Sequence, residues 1–515
     1  MFTLLRNQRI WALPLVAASL LTAFSCESPR EATIPTPSAQ ARLAGPIIFY
    51  ALTDGNQLLQ VSTASPSSPI TTVNITGVIA GDRIMAIDFR PATGQLYGVS
   101  NMSRIYTINP ITGAASVVGG AAFSPGVSSD AIGLDFNPTV DRIRLVGNNG
   151  QNLRLNPETG GIAAVDGNIN GAPGARIAGS AYTNNFAGAT TTMLFSIDPV
   201  NDKLYIQNPP NNGTQVEVGS LGVDIIGASG FDIGPTGEAI AALGRTGNGS
   251  ELYEINLSNG QATKLGDFLG LQVSIIGLAI PTTPVAYAVD GLNRLMIFNP
   301  MSPGTPIMKT LTGLQSGEML LGIDFRPANG QLYGLSNMSQ IYTINTANGA
   351  VAAVGSPVSP MITSSDIGFD FNPVVDRIRV TTASGQNLRL NPDTGGMAVI
   401  DGNLNPGTPI VTASAYMNNF AGTTTTTLFA IDAGSNKLFR QNPPNSGTLV
   451  EIGSLGLNIE GANGFDIGGT SGTAFALLRS GVMSGVYRID LTSGAATSVA
   501  TFPAPVQAFA VGLGF

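Results

Sequence analysis

The chain contains no histidine, one cysteine and one tryptophan, and only 11% of its 515 residues are charged. Without histidine it cannot use a Ser-His-Asp triad, imidazole acid-base catalysis or a histidine-containing metal site. Low charge combined with a hydrophobic content of 43% also excludes a disordered chain. A globular body that uses no histidine-dependent chemistry remains.

Turn-forming residues are abundant, with 64 glycines and 33 prolines. β-Branched residues are spread evenly between them, which is typical of many short strands joined by tight turns. The length allows two or more domains with a sizeable core. An all-β fold is therefore predicted.

The N-terminus has the pattern of an export signal. Arg6 and Arg9 precede an apolar stretch over 10–24, which Ser25 and Cys26 follow. This resembles a bacterial lipoprotein signal, in which a small residue precedes a cysteine that is lipidated and becomes the first mature residue. The alternative is an ordinary secretory signal or a membrane anchor with an incidental cysteine.

Cleavage before Cys26 defines a signal peptide over 1–25 and a lipidated, Pro/Ser/Ala-rich tether over 26–45. The mature chain then keeps 22 basic and 32 acidic residues, a net charge of −10. Nucleic-acid binding is not expected, because it needs clustered positive charge.

The body is a tandem duplication. Residues 135–160 return as residues 370–395 with 19 of 26 positions identical. The two halves extend over 46–281 and 284–515, and each half shows a shorter period of about 45 residues, the range of four-stranded propeller blades.

Two tandem β-propellers with about five blades each are the predicted fold. Each half begins with a partial blade, and the missing strand is found at its other end, as 275–280 (IIGLAI) in the first half and 511–515 (VGLGF) in the second. A strand that completes the first blade closes a ring without an open sheet edge. A single ten-bladed ring is the alternative. Alternating helix and strand patterns are absent, so an α/β fold is not expected.

Both halves resemble a bacterial family known as domain of unknown function 4394. The resemblance is carried by 133–138 (GLDFNP), 141–144 (DRIR) and 151–156 (QNLRLN) and by their copies in the second half. It implies secretion and a propeller-like fold. It implies no reaction.

The first candidate site consists of aspartates on the first strands of three blades in each half. If these strands are innermost, three carboxylates per half converge on a central channel, where they could bind a cation or ligand or act as acid and base. In the other two blades the position is held by Tyr182 or Tyr416 and by Ala279 or Gly514. Turn chemistry favours a structural role, in which each aspartate accepts hydrogen bonds from the following turn, so no metal and no cofactor are predicted. These candidates are Asp88, Asp135, Asp232, Asp324, Asp370 and Asp466.

The second candidate site is a set of arginines on the next two strands of one blade in each half. An anion or glycan site is one interpretation. The favoured one is an inter-blade network of Arg, Asp and Asn that satisfies itself, because polar residues between packed blades need partners. These candidates are Arg142, Arg144, Arg154, Arg377, Arg379 and Arg389.

The sequence favours a binding or scaffold protein of the cell envelope over an enzyme. The expected partners are a membrane, through the N-terminal lipid, and an envelope protein or glycan. The expected location is the outer membrane or cell surface. One alternative is a carboxylate-dependent, glycan-active enzyme in which Glu217 or Glu451 assists the channel aspartates. Another is a structural or adhesive component of the envelope.

Overall fold

Turns with left-handed backbone positions separate the strands. In the turn after Asn109, its Oδ1 accepts the N–H groups of Ile111 and Thr112 at 2.9 and 3.1 Å, and Gly113 closes the turn at φ 75°. The same asparagine-to-glycine turn recurs at 156–160, 345–349 and 391–395. These turns reverse the chain at short intervals, so consecutive strands pair antiparallel.

A computed structural model describes residues 43–227, 230–247, 249–268, 274–461, 463–481, 483–502 and 505–515. The predicted signal peptide, Cys26 and the tether up to residue 42 lie outside the described residues. Within the described ranges no helix is long and apolar enough to cross a membrane.

Among the described residues, the first ring contains twenty strands and one short 3-10 turn, Pro210–Asn212. Its strands are β1 (Ile48–Thr53), β2 (Gln57–Ser62), β3 (Thr71–Asn74), β4 (Ile84–Phe89), β5 (Leu96–Ser100), β6 (Ile105–Ile108), β7 (Ala115–Val118), β8 (Ile132–Asn137), β9 (Arg142–Gly147), β10 (Asn152–Leu155), β11 (Ile162–Val165), β12 (Gly179–Tyr182), β13 (Leu194–Asp198), β14 (Lys203–Gln207), β15 (Gln215–Ser220), β16 (Gly230–Ile233), β17 (Ala239–Arg245), β18 (Gly249–Ile255), β19 (Ala262–Asp267) and β20 (Ile275–Ala279).

The second ring repeats this arrangement, with its 3-10 turn at Pro444–Ser446. Its strands are β21 (Ala286–Asp290), β22 (Arg294–Asn299), β23 (Ser302–Thr310), β24 (Leu320–Arg326), β25 (Gln331–Ser336), β26 (Ile341–Ile344), β27 (Val351–Val354), β28 (Ile367–Asn372), β29 (Arg377–Thr382), β30 (Asn387–Leu390), β31 (Met397–Ile400), β32 (Val411–Tyr416), β33 (Leu428–Asp432), β34 (Lys437–Gln441), β35 (Leu449–Ser454), β36 (Gly464–Ile467), β37 (Ala474–Ser480), β38 (Met483–Ile489), β39 (Ala496–Phe502) and β40 (Val506–Val511).

These strands form ten four-stranded antiparallel sheets, which are the blades of two closed rings. In the first ring β20 pairs with β1, and the inner strands contact one another in the order β20, β4, β8, β12, β16 and back to β20. In the second ring β40 pairs with β21, and the inner strands β40, β24, β28, β32 and β36 close in the same way. The prediction of two five-bladed propellers is confirmed, and a single ten-bladed ring is excluded by these pairings.

The strand that closes the second ring was placed wrongly from the sequence. It is β40, Val506–Val511, and not residues 511–515. Ala510 lies opposite Tyr287 as Ala279 lies opposite Tyr50, so Ala510 and not Gly514 holds the position predicted for the inner strand. The shared Gly-Leu pair suggested the wrong alignment. Burial decides which segment pairs with β21, since five of the six residues of β40 are buried.

Adjacent blades pack face to face through large side chains. Tyr97 meets Phe136 edge-on between the second and third blades at 5.2 Å, and Tyr333 meets Phe371 in the same way at 5.2 Å in the second ring. At the centre the inner strands need small residues: a Cβ on Gly133 would lie 2.6 Å from the Ser180 nitrogen. Neighbouring inner strands therefore approach each other closely, which positions the inner-strand aspartates.

The two rings contact each other through the turns at the ends of their inner strands. Arg90 Nη1 donates to the Gly330 carbonyl at 3.0 Å, and the Tyr287 hydroxyl donates to the Ala92 carbonyl at 2.8 Å. The Gly514 N–H also donates to the Thr93 carbonyl at 2.8 Å. The residues after β40 thus form part of the contact between the two rings.

Candidate functional site

The three aspartates predicted in each half meet at the centre of their ring. In the first ring Asp88 on β4, Asp135 on β8 and Asp232 on β16 each offer a carboxylate oxygen, and these atoms lie within 4.8 Å of one another. Asp324, Asp370 and Asp466 form the same group in the second ring. We call these groups the aspartate triads. All six side chains are buried, with at most 2% of each residue exposed.

Two members of each triad clamp neighbouring inner strands together. Asp88 accepts the N–H of Phe89 and, from the next blade, the N–H of Phe136, both at 2.7 Å. Asp232 accepts the N–H groups of Ile233 and Ile280, both at 2.6 Å. Each carboxylate is therefore held by an N–H group of the adjoining inner strand. The sequence had instead suggested N–H groups of the following turn as the partners.

The second ring repeats the clamps. Asp324 accepts the N–H groups of Phe325 and Phe371, both at 2.7 Å. Asp466 accepts those of Ile467 at 2.6 Å and Val511 at 2.7 Å. The inner strands of adjoining blades are therefore joined by carboxylates in both rings.

The third aspartate of each triad accepts fewer hydrogen bonds than the other two. Asp370 accepts the Tyr416 N–H at Oδ1, at 3.1 Å, and its Oδ2 has no hydrogen-bond partner among the described residues. In Asp135 neither oxygen has a partner of normal hydrogen-bond geometry among those residues, although the backbone of Tyr182 still favours its charged form. Unused acceptor capacity is thus concentrated at this one position.

Burial raises the pKa of every triad carboxyl. The pKa of Asp232 rises to about 6 and that of Asp466 to about 7, in both cases because burial disfavours the charged form. The pKa values of Asp88 and Asp135 are raised well above the usual value, first by burial and then by a neighbouring carboxylate of the triad. Three adjacent negative charges cannot persist in such a place without protons or a cation.

The geometry does not favour glycoside hydrolysis. That chemistry needs two carboxyl groups on either side of a bound sugar, whereas the triads are sealed from solvent. Glu217 and Glu451 lie on the outer strands β15 and β35, where Lys203 and Lys437 pair with them at 2.7 and 2.8 Å. Neither glutamate is beside the triad of its ring.

The predicted arginines form a network between blades. Arg144 donates to Asp166 at 2.5 Å and to Asn152 at 2.9 Å, and reaches Asn211 of the next blade at 2.7 Å. Arg154 binds both oxygens of Asp166, at 2.8 and 2.9 Å. The guanidinium groups are occupied by protein partners, which leaves Arg144 buried and unavailable to an anion.

The second ring contains the same network. Arg379 donates to Asp401 at 2.6 Å and to Asn445 at 2.8 Å, and Arg389 binds both oxygens of Asp401. The remaining two candidates, Arg142 and Arg377, donate to the carbonyls of Asp141 and Asp376, both at 2.7 Å. All six predicted arginines therefore have structural partners.

Sequence reasoning missed an exposed apolar surface on the second ring. Leu292, Met319, Met338 and Met361 are 73, 37, 39 and 58% exposed. Two of them lie in turns between the second and third strands of a blade, and two lie in the links between blades. All four are at the end of the ring where the inner strands begin. Hydrogen bonds join the loop that carries each of these four residues to the loop that carries the next one in the order given. We call these residues the methionine patch.

The first ring lacks this patch, although its backbone is the same. The corresponding residues are Gly55, Arg83, Met102 and Gly126. Equivalent hydrogen bonds hold them, such as the one from the Arg83 N–H to Asn101 Oδ1 at 2.7 Å. Three of these four positions are therefore apolar in the second ring only, which a comparison of the two halves could have revealed.

A cavity of about 330 Å³ lies between Phe186 and Ala187 of the first ring and Val285, Ile297 and Ile307 of the second. No titratable side chain lines it.

A family model matches most of the chain, over residues 57–279 and 294–511. It is described as domain of unknown function DUF4394. The chain belongs to this family. Each DUF4394 match falls on one ring, so the unit of the family corresponds to one five-bladed propeller.

Two solved structures similar to this DUF4394 chain are extracellular domains of BT4673 from B. thetaiotaomicron, described as a one-component and a hybrid two-component system. The first is 9% identical, with 90% of this chain and 73% of that chain covered and a TM-score of 0.26. The second is 12% identical, with coverages of 88% and 58% and a TM-score of 0.23. No curated protein matches. Similarity this low transfers no function.

Proposed function

We propose that this protein is an exported, lipid-tethered binding module whose methionine patch docks a protein partner of the cell envelope. The exposure of Leu292, Met319, Met338 and Met361 on hydrogen-bonded loops at one end of the second ring supports the proposal. Methionine adapts its shape to a partner, and clustered exposed apolar side chains are typical of interaction surfaces.

The chemistry of the patch favours a protein over a lipid surface. Docking on anionic lipid needs lysine or arginine around the apolar residues. The patch has the opposite trend, because Met319 stands where the first ring has Arg83. A mature chain with a net charge of −10 would also be repelled by anionic lipid. The partner is expected to present an apolar surface with a neutral or basic rim.

The duplication provides a variant that preserves the backbone. Leu292→Gly, Met319→Arg and Met361→Gly together install the residues of the first ring. Each buried apolar side chain contributes about 1.5–3 kcal/mol, so losing two or three of them is expected to weaken partner binding at least about 100-fold. The measurement is retrieval of an affinity-tagged full chain from envelope membranes, followed by titration of the protein retrieved.

The control changes the first ring instead. Ile79→Gln and Val200→Gly replace two exposed apolar residues, at the end of the ring where the inner strands begin, by the residues of the second ring. It should retrieve the partner as the wild type does. The proposal is wrong if all three chains retrieve the same proteins. It is also wrong if the patch variant loses only binding to anionic vesicles or only self-association by light scattering.

Anchoring is tested separately. Cys26→Ser is expected to move the protein from the membrane fraction to the soluble fraction, because the lone cysteine directly after the apolar stretch would carry the lipid. Fractionation followed by immunoblotting measures this. An unchanged membrane fraction would refute lipid anchoring while leaving the docking proposal intact.

A further inference from the structure

We propose that each propeller binds one divalent cation, Ca²⁺ by preference, at its aspartate triad. This site is separate from the methionine patch and does not depend on it. The proposal departs from the sequence-based expectation of no metal, because the structure shows three features that spacing alone does not.

The first feature is the fit in size. Ca²⁺ binds oxygen ligands at about 2.3–2.6 Å, so two oxygens on opposite sides of the ion are about 4.6–5.2 Å apart. The three triad oxygens lie within 4.8 Å of one another. The separations therefore allow one ion to reach an oxygen of each of Asp88, Asp135 and Asp232. Carboxylates without histidine or cysteine are hard ligands, which favours Ca²⁺ over the softer transition metals.

The second feature is the free acceptor at the centre of each triad. Asp135 is 0% exposed, and neither of its oxygens has a partner of normal hydrogen-bond geometry among the described residues, although the Tyr182 backbone lies near enough to favour its charged form. Buried carboxylates normally accept several hydrogen bonds, as Asp88 and Asp232 do. An unpartnered carboxylate at this depth, directed at two others, lacks the positive charge that a cation supplies.

The third feature is a buried amide beside the triad of the second ring. Asn419 is 1% exposed, and its Nδ2 lies 3.5 Å from Asp466 Oδ1 while its Oδ1 has no partner among the described residues. Asn185 holds the same position in the first ring, and neither its Nδ2 nor its Oδ1 has a partner there. Amide oxygens are common Ca²⁺ ligands, and a half-turn of the Asn419 amide would exchange its nitrogen for its oxygen beside Asp466, which would supply a fourth ligand of suitable type.

The triads have no positively charged protein partner among the described residues. The clamping N–H groups are neutral, and none of the ion pairs found among the described residues involves a triad carboxylate. A cation at the centre would satisfy the same carboxylates in their charged form, and would hold three blades of each ring together.

The test is elemental analysis of the purified full-length mature protein, with its melting temperature measured before and after EDTA. We expect two Ca²⁺ per chain, a fall in Tm of at least about 5 °C on chelation, and recovery when Ca²⁺ is added. Asp135→Asn should retain one ion, and the double variant Asp135→Asn/Asp370→Asn should retain none.

The matched control is Asp198→Asn, a buried aspartate that holds a turn outside the triads. It should retain two ions. A wild-type protein that contains no divalent cation and whose Tm is unchanged by EDTA and by added Ca²⁺ overturns the proposal. Metal content unchanged in the double variant also overturns it. If a variant does not fold, the response of the wild type to EDTA and Ca²⁺ decides.

Discussion

Removing residues 275–280 from the first half is expected to abolish its native fold, whereas the intact half, residues 46–281, should unfold cooperatively by itself. The strand β20 supplies the inner edge of the first blade and contacts both β4 and β16. Ile275, Leu278 and Ala279 are buried in it. Losing one large buried side chain costs about 2–5 kcal/mol, so losing a whole inner strand exceeds the stability of about 5–15 kcal/mol typical of a domain.

The matched control removes the outer strand of the same blade, Thr71–Asn74, none of whose residues is buried. That variant should stay folded with reduced stability. Far-UV circular dichroism during urea unfolding, with limited proteolysis, distinguishes the outcomes. If the intact half is compact only when the second half is present, ring closure is not sufficient, and contacts such as Arg90 to Gly330 are required.

Arg144→Met is expected to lower the free energy of unfolding by about 3–5 kcal/mol, because it removes one partner of a buried ion pair. Arg144 has a nearly inaccessible side chain, and it joins Asp166 of its own blade to Asn211 of the next. The apolar replacement leaves the Asn211 amide and part of the Asp166 carboxylate without a donor. Urea denaturation monitored by circular dichroism measures the loss.

Arg154→Met is the control, since the Arg154 side chain is 32% exposed to solvent while binding the same Asp166. Its loss should cost only about 0–1 kcal/mol, as for other solvent-screened pairs. Arg379→Met should reproduce the large effect in the second ring. Equal effects for Arg144 and Arg154 would show that burial does not govern this network.

Contact between the rings gives equivalent networks in the two similar halves a different exposure to solvent. In the first ring Arg90 is buried and its partners Asp141 and Glu158 are 9% and 19% exposed. The copies of these acids in the second ring, Asp376 and Asp393, are 35% and 63% exposed. One ring has this network covered by its neighbour, and the other presents it to solvent. No comparison of the two sequences contains that information.

The convergence of the triads could be predicted because it depends on periodicity. Asp88, Asp135 and Asp232 occupy equivalent places in blades of similar length, and ring closure brings equivalent places to one axis. Their hydrogen-bond partners could not be predicted, since Phe136 and Ile280 belong to the inner strand of the following blade. The unpartnered state of Asp135 is likewise a property of the assembled ring.

The sequence by itself determined the number and type of the blades, because alternating apolar residues and asparagine-glycine turns act locally and recur with a fixed period. Only the tertiary structure decided which C-terminal segment closes the second ring, because Val506–Val511 and residues 511–515 differ in burial rather than in local strand pattern. It also decided that the aspartates are sealed and that Leu292 and its neighbours form one surface. Solvent access and inter-blade contact depend on residues far apart in the chain, and a local pattern does not encode them.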